Sequence, residues 1–342
     1  MTQSGNVANA VIFGCAGPSL SDSERQFFRD AAPAGFILFA RNIETPAQVR
    51  RLVAELRECS GGGAAFVLID QEGGRVARLK PPHWREAPPA GRIGALYTYS
   101  PEAGVAAAWL NARLQAEELH ALGIDVDCAP VLDLCVPGAH DIIGDRSFGA
   151  DTAAISMLGR SACNGFMAGG VLPVVKHVPG HGRALQDSHM ALPVVTVARD
   201  VLEDTDFAPF RALADMPAAM TAHVVYDAVD PDHPATTSAI VIRDVIRGAI
   251  GFDGLLISDD LSMKALQGGL GARAAAARRA GCDVVLHCNG AMPEMQAVAA
   301  ESGRLSPDAE RRITAARACL SARKDLPDNA LEHFSELMSQ LP

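Results

Sequence analysis

The chain has 342 residues, 49% of them hydrophobic, and sets 30 Lys and Arg against 40 Asp and Glu for a formal net charge of −10. That much apolar material excludes a disordered chain and supports a large core, while an acidic chain with no Lys/Arg run lacks the footprint of a nucleic-acid binder. No positive charge precedes an apolar run at the N-terminus and no stretch reaches the roughly 20 apolar residues of a membrane span, so a soluble cytoplasmic protein is expected.

From the N-terminus, short apolar, β-branched runs alternate with segments of helical period. Strands are predicted at 9–15, 35–39, 66–70, 124–129, 172–177, 219–224, 255–258 and 282–287, with helices at 21–31, 46–58, 101–122, 152–167, 201–214, 240–248 and 272–280. Most of the strands are apolar on both pleat faces, as when helices cover a parallel sheet. Eight repeats favour a closed (β/α)8 TIM-type barrel over an open doubly wound sheet. The open fold would show G-x-G-x-x-G after its first strand; Gly14-Cys15-Ala16-Gly17-Pro18 has another spacing, and no nicotinamide cofactor is expected. Beyond residue 306, two more helices carrying Arg311, Arg312, Arg317 and Arg323 are expected to pack over the exterior or bottom of the barrel. With no linker or low-complexity segment, the chain reads as one domain over 1–342 with a helical extension at about 306–342. The eight cysteines are scattered without a Cys-x-x-Cys pair and read as small buried hydrophobes; no metal site is expected.

A barrel of this kind carries its active site at the carboxyl ends of its strands. The polar residues that end apolar runs are Asp70, Lys176-His177, His223 and Asp259-Asp260, beside polar loops at 71–75, 143–149 and 179–189. Each has an ordinary reading: Asp260 before Leu261-Ser262 as a helix cap, Lys176 as an interior ion pair, and His83, His120, His140, His233 and His333 as surface or structural histidines. Charged groups are costly at a core boundary unless paired or used, and their convergence on one rim is what points to a site.

The segments GFILFARN (35–42), LIDQEGGRVARL (68–79), GIDVDCAPVLD (123–133), IGDRSFG (143–149), VVKHVPGHGRALQDSH (174–189), MTAHVVYDAVDP (220–231), GFDGLLISDDLSM (251–263) and AGCDVVLHCN (280–289) together resemble glycoside hydrolase family 3, and within it the single-domain bacterial β-N-acetylglucosaminidases of cell-wall recycling. Val178 departs from the pattern, which usually has Phe there. The resemblance implies a retaining hydrolase with Asp259 as nucleophile and Asp187 and His189 as an acid/base pair. It also implies sugar binding by Asp70, Arg78, Arg146, Lys176 and His177, with His223 in a direct or supporting position. An imidazole suits giving and then taking a proton near neutral pH, and the glycines at 180 and 182 predict a mobile loop ahead of His189. Glu72 is read as an ion-pair or cap group and Asp260 as a cap.

The implied substrate is a muropeptide fragment, N-acetylglucosamine β-linked to an anhydro-muramyl sugar or its peptide. No cofactor, nucleic acid, membrane or obligate protein partner is implied. Three rivals remain at this point: a phosphorylase using the same residues, a metal-dependent barrel hydrolase and a non-catalytic sugar-binding barrel. A β-glycosidase of different sugar specificity is a fourth.

Overall fold

In the computed structural model, which describes residues 8–60, 65–136, 138, 140–186, 188 and 191–341, eight parallel strands close into a barrel in chain order. They are β1 (Asn9–Gly14), β2 (Pro33–Leu38), β3 (Phe66–Ile69), β4 (Val126–Asp127), β5 (Leu172–Val178), β6 (Ala218–Thr221), β7 (Leu255–Asp260) and β8 (Val284–His287). β8 returns to β1 with Val11 opposite Val285 and Phe13 opposite His287. Around them in chain order run α1 (Asp22–Ala31), α2 (Pro46–Cys59), α3 (Ala90–Tyr99), α4 (Pro101–Ala121), α5 (Thr152–Ala168), α6 (Arg199–Asp204), α7 (Ala208–Ala212), a π-helix at Val241–Ala249, α8 (Leu270–Ala280), α9 (Met292–Ser302), α10 (Pro307–Ala318) and α11 (Ala330–Met338).

The two-residue period of a strand sorts the core. Phe66 and Leu68, Leu172 and Val174, and Leu255 and Ile257 pack with Ile12, Val126, Met220 and Leu286 inside the barrel. The residues between them, such as Val67, Ile69, Leu256 and Val285, pack outward with the helices. Helix starts follow local chemistry: Ser21 and Glu24 form a reciprocal capping box on α1, and Thr45 caps α2 with Pro46 at its first position.

The C-terminal tail covers the amino-terminal end of the barrel. Ile313 and Ala316 of α10 join the interior cluster, and the Arg317 guanidinium lies 4.3 Å from the centroid of the Phe66 ring. Arg312 pairs with both Asp253 and Asp283, each at 2.8 Å. Among the described residues no helix is long and apolar enough to cross a membrane.

Two helical predictions change form. The segment expected as one helix at 201–214 is broken into α6 and α7, because Pro209 opens the second and the Thr205 and Asp206 side chains turn to Arg183, at 3.1 and 2.6 Å. The segment at 240–248 is helical but wound i→i+5, burying Val241, Ile242, Val245 and Ile246. Helices α3 and α9 were not expected. In α3, Gly91 and Gly94 weaken the helical signal, yet Gly94 is required by packing, since a Cβ there would lie 1.7 Å from the Phe148 carbonyl oxygen.

Candidate active site

Extending the inward rows by one step at their carboxyl ends replaces an apolar residue with a charged one: Phe66, Leu68, then Asp70; Leu172, Val174, then Lys176; Leu255, Ile257, then Asp259. All three line a cavity of about 380 Å³, together with Arg78, Arg146 and His177. Five of the six residues assigned to sugar binding therefore converge with Asp259 on one cavity.

Lys176 is the hub. Its ammonium donates to Asp70 Oδ1 at 2.9 Å and lies 2.6 Å from Glu72 Oε1. Arg78 donates to Asp70 Oδ2 at 3.0 Å, and Arg146 holds Glu72 with two bonds of 2.9 Å. The Phe39 ring lies 5.2 Å under the Arg78 guanidinium. Against the upward push of burial, Lys176 and Arg78 hold Asp70 well below its ordinary carboxylate range, and Lys176 and Arg146 also lower the pKa of Glu72. Burial pulls the Lys176 pKa down, but the two carboxylates outweigh it and keep the ammonium charged. Glu72 is thus the ion-pair group expected. Buried ion clusters contribute little net stability, so the arrangement is better understood as a preorganised set of charge-assisted donors and acceptors lining the cavity.

Asp259 ends β7. Its Oδ1 accepts the Asp260 N–H at 2.8 Å, and no described residue donates to Oδ2. Burial would raise its pKa; the His223 and His177 imidazoles, the Asp260 N–H and Lys176 reverse the direction and hold the carboxylate below its usual value. Asp260 is spent on structure: it accepts from the Ser262 N–H at 3.1 Å, the Ser262 hydroxyl at 2.5 Å and the Cys288 N–H at 3.2 Å.

Of the two positions open to His223, direct or supporting, the structure shows the supporting one. It is fully buried, with Nδ1 at 2.7 Å from Thr236 Oγ1 and Nε2 at 3.0 Å from the Asp260 carbonyl oxygen. A carbonyl only accepts, so Nε2 carries the proton, while Nδ1 meets the Thr236 hydroxyl, and burial pulls the pKa down. Neither nitrogen is left for a sugar, and His223 holds the carboxyl end of β7 instead.

Asp133 was missed by sequence reasoning. Fully buried, it accepts His177 Nδ1–H at 2.6 Å and the His181 N–H at 2.7 Å, so one carboxylate orients the His177 ring and anchors the following loop. That loop's glycines serve close approach: a Cβ on Gly182 would lie 2.1 Å from the Leu134 carbonyl oxygen, and the Tyr226 hydroxyl donates to the Gly180 carbonyl. Asp187 and His189 lie outside the described residues.

Asp127 is the second missed acid. Oδ1 accepts the Gln71 N–H at 2.9 Å while buried Oδ2 has no partner among the described residues. Burial, with Asp70 and Glu72 adding to it and only the Gln71 N–H and Lys176 opposing, pushes its pKa up to about 8. Between about pH 4, where an unfolded Asp ionises, and pH 8, the folded chain holds a proton that the unfolded chain has released. This one group therefore subtracts stability as pH rises across that window, by at most about 1.4 kcal/mol per unit. Asp127→Asn should remove the slope, so that the Tm of the variant relative to the wild type climbs from pH 5 to pH 8. Parallel profiles would show that Asp127 is ionised throughout.

The Glycosyl hydrolase family 3 N terminal domain matches residues 9–317. A beta-hexosaminidase of Xylella fastidiosa (strain M23) is 40% identical over 302 residues, covering 86% of this chain and 88% of that protein. One from Bordetella avium is 36% identical over 339 residues, covering 97% and 95%. Among solved structures, NagZ from Neisseria gonorrhoeae in complex with N-trifluoroacetyl-D-glucosamine superposes with a TM-score of 0.87 at 32% identity, covering 98% of this chain and 99% of that one.

Proposed function

The chain belongs to glycosyl hydrolase family 3, and on that footing we propose that it is a retaining β-N-acetylhexosaminidase that releases terminal non-reducing N-acetylglucosamine from peptidoglycan fragments such as N-acetylglucosaminyl-anhydro-muramyl peptides in the cytoplasm. The observation that carries this reading is the Asp259 carboxylate, kept ionised at the end of β7 in the same cavity as the Lys176, Asp70 and Arg78 cluster.

Asp259 Oδ2 attacks the anomeric carbon as the glycosidic C–O bond breaks, giving a covalent glycosyl-aspartate. The leaving oxygen takes a proton from His189, whose imidazole Asp187 orients. Water then attacks the same carbon, His189 takes its proton back, and the Asp259 carboxylate departs. Two inversions give the β-anomer. Asp70 accepts hydrogen bonds from sugar hydroxyls, while Lys176, Arg78, Arg146 and His177 complete the pocket around the sugar ring. Each Asp70 oxygen already has a cationic donor and keeps a second lone pair for a hydroxyl.

Two measurements test the reading. A mechanism-based 2-fluoro glycoside should label Asp259, and a label on Asp260 or Glu72 would remove it as nucleophile. Aryl β-glycosides differing only at the 2-position should be split by a factor of about ten or more in kcat/KM in favour of N-acetyl over hydroxyl, since a site built to hydrogen-bond a group discriminates against its absence. Equal rates would discard the hexosaminidase specificity and leave the family membership standing.

A further inference from the structure

After β4 the chain runs on beside β5. The Ala129 and Pro130 carbonyls accept the Val174 and Lys176 N–H groups at 3.0 and 3.2 Å, and the Leu132 N–H donates to the Lys176 carbonyl at 2.8 Å. That pairing brings Asp133 level with His177. The Ser147 hydroxyl, one residue past Arg146, fastens the Asp133 carbonyl at 2.6 Å. Backbone bonds on both sides therefore fix where the Asp133 carboxylate stands.

The two oxygens of that carboxylate face different partners. Oδ1 accepts two backbone donors, the His181 N–H at 2.7 Å and the His177 N–H at 3.2 Å, the latter also reaching Oδ2 at 3.3 Å. Oδ2 lies 2.6 Å from His177 Nδ1. Burial pushes the Asp133 pKa up, but His177 and His181 outweigh it and hold the carboxyl below its ordinary value. An ionised carboxylate only accepts, so the proton between Oδ2 and His177 sits on Nδ1. The His177 ring lines the cavity that holds Asp259, and with Nδ1 turned to Asp133 it has Nε2 to offer there.

We propose that Asp133 is a positioning residue for sugar binding: by holding a proton on His177 Nδ1 it fixes the ring and makes Nε2 the nitrogen that meets a substrate hydroxyl. Asp133 acts only through His177, and the inference rests on the reading of His177 as a sugar-binding residue. Asp133→Asn probes this with almost no change of shape. Backbone N–H groups cannot be reversed, so the amide oxygen must stand where Oδ1 stood and the NH2 must face Nδ1. Nδ1 then has to accept, and the ring proton moves to Nε2, the wrong tautomer in the right place.

Two readouts test it. In nitrogen-15 NMR of histidine-labelled protein, with the His177 signals identified by their loss in His177→Gln, Nδ1 should carry a proton in the wild type and none in Asp133→Asn. An unprotonated Nδ1 in the wild type overturns the proposal. In kinetics on an aryl β-N-acetylglucosaminide, Asp133→Asn should lose about 10- to 100-fold in kcat/KM, the usual loss when the partner orienting a liganding histidine is changed. The same substitution made on top of His177→Ala should cost no more than about twofold further, because a residue that acts through His177 has nothing left to position. Additive losses would mean that Asp133 serves the loop through His181 instead, and the proposal falls while His177 keeps its sugar-binding role. If His177→Ala itself leaves kcat/KM unchanged, the sugar-binding reading fails and takes the proposal with it. Near-ultraviolet circular dichroism checks that each variant is folded; should Asp133→Asn not fold, the wild-type Nδ1 signal decides alone.

Discussion

Asp259→Ala is expected to reduce kcat on a β-N-acetylglucosaminide by on the order of 10⁴ or more while leaving the fold intact, because the proposed covalent mechanism loses its nucleophile outright. The side chain holds little structure: one Asp259 oxygen accepts one backbone N–H, from the adjacent Asp260, and the other accepts nothing from the described residues. Azide, small enough for the vacated space, should restore turnover of a dinitrophenyl substrate and yield the α-glycosyl azide, the product of a single inversion. Retention of activity to within about tenfold would mean that the substrate's own acetamide supplies the nucleophile and that the Asp259 carboxylate merely stabilises charge. Asp260→Ala is the matched contrast. It strands the Ser262 and Cys288 donors that the carboxylate now satisfies, and about 1–3 kcal/mol of stability should be lost before any chemistry is.

The contrast between these neighbours also shows which features are readable in a sequence. Asp70, Lys176 and Asp259 are legible because each is the next inward position after an apolar pair on a barrel strand, so local period and fold class place all three on the rim. His223 has the same surface signature, a polar residue following Met220-Thr221-Ala222, and yet it serves the protein, because Thr236 and the Asp260 carbonyl take both its nitrogens. Those partners lie 13 and 37 residues away, and nothing local announces them. Asp133 is hidden for the mirror-image reason. It looks like a turn acid after Pro130-Val131-Leu132, but its donors come from His177 and His181, 44 and 48 residues downstream. Asp127 sits between interior Val126 and Cys128 in a run that reads as one strand, and its burial alone distinguishes it.

The fold was legible to nearly the same depth and failed by the same rule. All eight barrel strands fall where β-branched runs predict them, because a parallel strand buried on both faces must be apolar along its length. Helix α3 escapes because its residues answer to a neighbour: Gly94 is there so that the Phe148 backbone, two residues past Arg146, can approach. The helix thereby helps to hold the segment that delivers Arg146 to Glu72. A weak local propensity is traded for the placement of a site residue, which is where sequence rules are expected to break.

Lys176→Met should cost about 3 kcal/mol of stability and remove most activity, for a reason the geometry bounds on both sides. Deleting one partner of a buried ion pair costs roughly 3–5 kcal/mol when the other charge is left alone. Here the cost falls at the low end, because Asp70 keeps Arg78 at 3.0 Å and Glu72 keeps the two-bond grip of Arg146. What vanishes is the bridge that draws the two carboxylates together. Their pKa values are depressed in the fold. Such groups contribute stability that is fully present above the unfolded carboxylate value, near pH 4, and that is lost as pH falls through the folded values. Removing the ammonium shrinks that depression, so the gap between wild type and variant in urea unfolding should be widest at neutral pH and close progressively below about pH 4. A gap that stayed constant down to pH 3 would assign the loss to the packing of the lysine stem rather than to its charge. Activity should not return as that gap closes: protonating Asp70 converts the proposed acceptor for sugar hydroxyls into a partial donor, and the substrate would still meet a cavity without the ammonium that organises it.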